Sequence, residues 1–202
     1  MSINPYYLYT LVLFVHVSGA IAVFIGLGIW LFALVGVQRA QRVEQVRALA
    51  SLFGPSGNMV VGALPFLALA GLYMAYLAWG LFVAWIDVAT VSFLLLAPFG
   101  AFVIDPRIKA ISAYAKKADD GAIPAELSVR IHDPLLGMAL TVYVAVLLGI
   151  VFLMTIKPPF GPSILAMLIA LALGLLVGLM LLRIGRRPRL ALSWREAKGA
   201  RE

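Results

Sequence analysis

Cysteine is absent from this chain, and only 12% of its 202 residues carry charge. The first absence removes disulfides, thiolate metal sites and cysteine nucleophiles, and it leaves the redox compartment open. The second removes the soluble globular class, in which about a quarter of residues are charged. Histidine is scarce, with two in the chain, and nine acidic residues stand against sixteen basic ones. Several catalytic patterns are missing too. There is no phosphate-cradling GxxxxGK followed by Ser or Thr, no HExxH, no GxSxG, and no pair of histidines on one apolar run as in bis-histidine cytochromes. These absences argue against a hydrolase or an ATPase, and no enzymatic activity is assigned.

What is present is apolar: 63% of residues are hydrophobic, and the mean hydropathy is +1.03. A helix rising about 1.5 Å per residue crosses roughly 30 Å of hydrocarbon in about 20 residues. Five runs meet that length, at about Tyr7 to Val35, Asn58 to Tyr76, Phe82 to Val103, Leu135 to Ile156 and Ile164 to Leu182. The expected fold is therefore an all-α polytopic membrane helix bundle with five transmembrane helices. Residues 1–182 form the bundle, with a loop at 104–134, and residues 183–202 form a basic tail. The opening MSINPYY carries no basic region, and the run behind it is too long for a signal peptide, so the first helix reads as retained.

Orientation follows from the basic residues. Arg39, Arg42 and Arg47 follow the first run; Arg107, Lys109, Lys116, Lys117 and Arg130 lie between the third and fourth; seven more follow the fifth, from Arg183 to Arg201. The opposite side holds only Lys157, in KPPFGP. The positive-inside rule then places the N-terminus outside and the C-terminus in the cytoplasm, in a cell inner (cytoplasmic) membrane. The basic tail is expected to meet anionic lipid headgroups, at about 1 kcal/mol per charge, rather than nucleic acid. A homo-oligomer or a larger membrane complex would supply further partners.

The connections refine this plan. AWGL and KPPFGP are short, which predicts antiparallel hairpins from spans two and three and from spans four and five. Gly54, Pro55 and Gly57 read as a turn, with Asn58 capping span two. Asp105-Pro106 and Asp133-Pro134 each read as a helix start. Ile108, Ile111 and Tyr114 fall at helical spacing against Lys109, Lys116 and Lys117, which predicts a short amphipathic surface helix. Tyr6, Tyr7, Tyr9, Trp79 and Trp85 fit an interfacial aromatic belt. Pro65 and Pro98 are expected to kink their helices, and Thr141 and Tyr143 to bond across helices.

Polar groups inside the spans are costly and so carry the functional reading. His16 lies roughly 10 to 13 Å from the outer boundary and Asp87 roughly 8 to 9 Å from it at 1.5 Å per residue. Tyr73 and Tyr76 come to a similar level, and Tyr9 precedes His16 by seven residues, so the spacing predicts a polar layer in the outer leaflet. Gly19, Ala20 and Val23 follow His16 on its face and leave room beside the imidazole. Three uses remain open: a packing hydrogen bond to a neighbouring helix, ligation of haem or a metal ion, and proton transfer. Asp87 either reaches water or pairs with His16 or a tyrosine. His132, just before Asp133, is expected at the cytoplasmic interface, too far from His16 to share a haem.

The run LFVHVSGAIAVFIGLGIW resembles the first helix of small bacterial integral membrane proteins of unknown function, and is distantly similar to CopD-type copper-resistance and HemJ-type protoporphyrinogen-oxidase proteins. LLGIVFLMTIKPPF, residues 147–160, resembles a late helix of the uncharacterised members. The two stretches cover about a fifth of the chain. The resemblance implies haem or copper handling and carries over His16 alone; the polar layer read from depth adds Asp87, Tyr73 or Tyr76 as groups that would support the ligand or balance its charge. Val23 and Phe24 stand where the HemJ-type pattern has a tryptophan. The alternatives are a cofactor-free structural or accessory subunit of a larger membrane complex, and a proton-coupled carrier using His16 and Asp87.

Overall fold

The structure is a computed structural model that describes the backbone of residues 5–80 and 82–199, and the side chains of residues 7–80 and 82–183. Among the described residues the protein is all-helical, and five helical stretches are long and apolar enough to cross a membrane. In order the helices are α1 (Pro5–Arg39), α2 (Val43–Ala50), α3 (Phe53–Ala78), α4 (Ala84–Phe99), a π-helical segment (Gly100–Ile104), α5 (Asp105–Lys117), α6 (Ala125–Ile131), α7 (Pro134–Ile156) and α8 (Phe160–Gly199). Continuous helix suits an apolar chain in lipid, where each backbone N–H and C=O must find its partner within the segment. With 35 residues, α1 extends about 52 Å, well beyond a hydrocarbon layer of about 30 Å.

Two tightly packed pairs organise the bundle. In lipid the tails solvate an apolar side chain as well as another helix does, so association depends on close approach, which small residues permit. α1 and α3 pack together along Gly19, Gly26, Gly57 and Gly71: a Cβ at Gly19 would lie 3.3 Å from the Leu67 Cβ, and one at Gly57 would lie 3.1 Å from the Trp30 ring. Trp30 also donates its indole N–H to the Phe53 carbonyl at 3.1 Å. α7 and α8 pack along Gly149, Gly174 and Gly178, where a Cβ at Gly174 would meet the Val142 backbone at 2.7 Å. α4 lies on α7 and α8 and makes hardly any contact with α3. The hairpin expected from spans two and three therefore connects two helices that splay into different pairs. The two pairs and α4 meet in a core that includes Val23, Leu27, Leu67, Leu96, Leu140 and Tyr143.

At the basic end α2, α5 and α6 form a cap into which the same core continues: Val43, Val46, Ile108, Ile111, Leu127 and Ile131 are buried there. Beyond the spans water replaces hydrocarbon, and burial of each such side chain contributes about 1.5–3 kcal/mol. The amphipathic helix at 105–117 thus forms as expected, but its apolar face lies on protein rather than on the membrane surface. Arg47 ties the cap together. Its guanidinium donates to the carbonyls of Ala115 and Ala118, at 3.2 and 2.8 Å, and pairs with Asp120 at 2.8 Å. It thereby satisfies carbonyls at the α5 C-terminus that have no helical partner. Val43 and Gly121 are joined by a backbone bond of 2.9 Å, and the Glu44 carboxylate accepts from the Gly121 N–H and from Arg42. Neither α2 nor α6 was expected from the run lengths, although Val43, Val46 and Ala50 carry the helical spacing.

Other expectations about the connections meet a mixed outcome. Asp133 does cap α7, accepting from the Leu135 N–H at 2.9 Å. Asp105-Pro106 likewise opens α5, with proline in its first turn, but the Asp105 side chain caps no N–H and the helix is not separate from α4. The chain runs from α4 through the π segment into α5, where the Asp105 N–H reaches the Gly100 carbonyl and the Asp105 side chain pairs with Lys109 at 2.6 Å. The wider π turn accommodates the imino nitrogens around Pro98 and Pro106. Gly54, Pro55 and Gly57 lie inside α3 and make no turn. Pro55 occupies the first helical turn, where a missing N–H costs nothing, and Asn58 is consequently within the helix and not its cap. Thr141 bonds back to the carbonyls of Gly137 and Met138 on its own helix, not across helices. The α8 backbone continues through Gly199; the side chains of Tyr6 and of the basic tail beyond Arg183 lie outside the described residues.

Candidate functional site

His16 lies on the α1 face that meets α3. Its Nδ1 is 2.8 Å from the carbonyl oxygen of Leu67. A carbonyl only accepts, so the neutral imidazole carries its proton on Nδ1 and keeps the lone pair on Nε2. Leu67 sits one turn before Gly71, and the missing side chain at Gly71 makes room for the ring. A Cβ built there would fall 2.9 Å from the imidazole Cε1 and 3.1 Å from Nδ1. The ring is thus fixed between a carbonyl and a glycine, half-buried, with small residues at Gly19 and Ala20.

The other residues of the expected polar layer occupy different faces. Tyr73 and Tyr76 are 39% and 66% exposed on the outer surface of α3, turned away from the Leu67–Gly71 face. Tyr9 is half-buried on α1, two turns before His16. Asp87 is half-buried in the first turn of α4, where the helix dipole favours its charge, and α4 packs on α7 and α8. No hydrogen bond or ion pair joins any two of His16, Asp87, Tyr73 and Tyr76 among the described residues. His132 closes α6 at the opposite, basic end, with its Nδ1 2.9 Å from the Ser128 carbonyl.

The donor chemistry around His16 limits what it can hold. A structural metal ion takes several protein donors, and no group of three His, Cys, Asp or Glu residues exists among the described residues. Nε2 is the ring nitrogen that forms no hydrogen bond among the described residues. The partners that fix the ring, a backbone carbonyl and a glycine, were not identified from the sequence; a carbonyl has no residue-type signature, and the only hint was Gly71 inside an apolar run.

Electrostatics at the basic end are better defined. The Arg42 guanidinium beside Glu44 holds its exposed carboxyl down to about 2, helped by backbone N–H groups that include Gly121. Glu44 is thereby a fixed anion that anchors the 118–122 connection to α2.

Comparison with known proteins gives one family match: a family described as "Predicted integral membrane protein (DUF2269)" matches residues 10–158, from the first turns of α1 to the end of α7. No curated protein and no solved structure matches the chain. The match agrees with the resemblance to small membrane proteins and carries no link to the copper-resistance or protoporphyrinogen-oxidase groups.

Proposed function

This chain belongs to the DUF2269 family of predicted integral membrane proteins, and on that premise we propose that it is a cytoplasmic-membrane protein in which His16 offers its Nε2 as the single protein ligand of a haem. The N-terminus lies outside and the basic cap and C-terminus lie in the cytoplasm, in keeping with the distribution of Lys and Arg. One observation carries the reading: the 2.8 Å contact from Nδ1 to the Leu67 carbonyl. Metal-ligating histidines characteristically donate their second ring N–H to a carbonyl or carboxylate, which sets the tautomer and orients the free nitrogen. A haem suits the donor set better than a copper ion, because no second or third protein donor clusters with His16. His16 would hold the group by itself, since Asp87, Tyr73 and Tyr76, expected beside it, lie on other faces. When bound, such a group supplies one-electron exchange or binding of a small gas.

The test is the absorption spectrum of the protein purified from membranes in mild detergent, followed by titration with hemin and metal analysis. A Soret band that His16→Ala abolishes, with helicity unchanged, is the expected result. Wild-type protein that is colourless, metal-free and indifferent to hemin rejects the reading.

A second reading, a cofactor-free accessory subunit, has its own support. His16 already has a partner on α3, and much of α1, α3, α4 and α8 presents apolar side chains outward. Co-purification from native membranes tests it. A stoichiometric membrane partner is expected, and a chain that migrates only as a lone small particle argues against it.

A further inference from the structure

Lys157 has no carboxylate partner among the described residues, yet its position is tightly determined. It ends α7 in the left-handed conformation, φ 55 and ψ 51, and is the single non-glycine residue with positive φ among the described residues. Glycine is the usual occupant of such a site, so a lysine there retains backbone strain for the sake of its side chain. Pro158 and Pro159 follow it, and the buried Ser163 hydroxyl donates to their carbonyls at 3.0 Å each, which makes the turn rigid.

The ammonium is held by two indoles. Lys157 Nζ stands 4.1 Å from the centroid of the Trp79 ring and 5.9 Å from that of Trp85, and the two rings meet edge to face at 5.7 Å. Trp79 ends α3, Trp85 begins α4, and Lys157 ends α7, so three chain segments converge on one cation. Neither indole N–H has a hydrogen-bond partner among the described residues. No other Lys or Arg occupies the connections at this end, and Asp87, its one acidic residue, forms no ion pair with Lys157. The cluster therefore offers one positive charge beside the exposed Trp79, with Trp85 buried against the pair, at the level where an apolar span meets water.

We propose that Lys157, Trp79 and Trp85 form a binding site for the phosphate of a lipid headgroup, at the end of the bundle opposite the basic cap. A phosphodiester matches this set: it accepts from N–H donors, neutralises the ammonium, and sits at this depth in a bilayer. The indole faces keep the ammonium in place, with Trp85 buried as support and the exposed Trp79 beside the ammonium on the side open to an anion. The site is independent of His16 and of any haem.

The experiment titrates the detergent-solubilised full chain with short-chain phosphatidylglycerol, following tryptophan emission and the number of lipids retained in native mass spectrometry. Diacylglycerol of the same chain length and inorganic phosphate serve as competitors. Saturable binding is expected, weakened about fivefold in Lys157→Gly and preserved in Lys157→Arg. Neither competitor should displace the lipid. Glycine suits the left-handed backbone, so loss of binding in Lys157→Gly cannot be ascribed to misfolding, and an unchanged melting temperature verifies this. Wild-type affinity in Lys157→Gly overturns the site. Displacement by diacylglycerol overturns the role of the phosphate, and displacement by inorganic phosphate overturns the lipid as its source.

Discussion

The imidazole of His16 and the carbonyl of Leu67 are joined at 2.8 Å across two helices, 51 residues apart in the chain. The contact does two things: it holds α1 against α3, and it decides which ring nitrogen remains free. Because Gly71 leaves the space the ring occupies, the three residues act as a unit.

That unit predicts non-additive mutations. His16→Ala should cost about 1 kcal/mol or less, the usual worth of an interhelical hydrogen bond in lipid. Gly71→Ala forces the ring aside and should cost about 1–3 kcal/mol. In the His16→Ala background the same Gly71→Ala change should be almost neutral, because the methyl group then fills vacated space. A double-mutant cycle in a reversible unfolding assay measures the coupling, and additive costs would show that the two side chains do not meet.

Glycines in the spans should separate into two classes. A Cβ at Gly174 meets the Val142 backbone at 2.7 Å, whereas one at Gly28 has nothing within 4 Å. Gly174→Ala must part α7 from α8, at about 1–3 kcal/mol. Gly28→Ala should be neutral or stabilising, since alanine loses less backbone entropy in a helix. Thermal stability of the two variants in one detergent decides, and equal melting temperatures would contradict the packing of α7 on α8.

Asp133 combines two roles, as the N-cap of α7 and as the partner of Arg107 at 3.0 Å. Asp133→Asn keeps a capping oxygen and loses the charge; Asp133→Ala loses both. Stability should fall in the order Asp, Asn, Ala, with the alanine variant lower by at least the 1 kcal/mol or so typical of a lost cap. Hydrogen exchange at the first amides of α7 should report the same order.

Acid should loosen the cap before the spans. Glu44 titrates at about 2 in the folded protein against an ordinary 4.5. A depressed carboxylate contributes stability that is fully present above 4.5 and lost as the pH falls from there toward 2. Exchange of the Gly121 amide should therefore accelerate across that window in the wild type. In Glu44→Gln it should already be fast at neutral pH and indifferent to acid through this group.

Much of this architecture is legible along the chain, because length and apolarity of a run are one-dimensional properties. All five expected spans coincide with helices, and Asp133-Pro134 starts α7 as its residue types require. Reading failed where a local signal had two structural uses. Gly54-Pro55-Gly57 has the composition of a turn, but proline fits the first turn of a helix equally well. Asp105-Pro106 does open α5, but the π turn before it joins that helix to α4 without a break. The short α2 and α6 were passed over because they are neither long nor uniformly apolar, and their burial depends on α5 and on α1.

By itself, then, the sequence determined a membrane-embedded helical chain, the number of its spans and the end at which positive charge gathers, since lipid imposes these on any segment by composition alone. Only the tertiary structure decided that α1 pairs with α3 and α4 with α7, that His16 meets a carbonyl and not Asp87, and that Lys157 rests on two tryptophans. In hydrocarbon every apolar face is solvated alike, so the choice of neighbour falls to close fit at a few glycines and to single polar contacts between residues far apart in the chain.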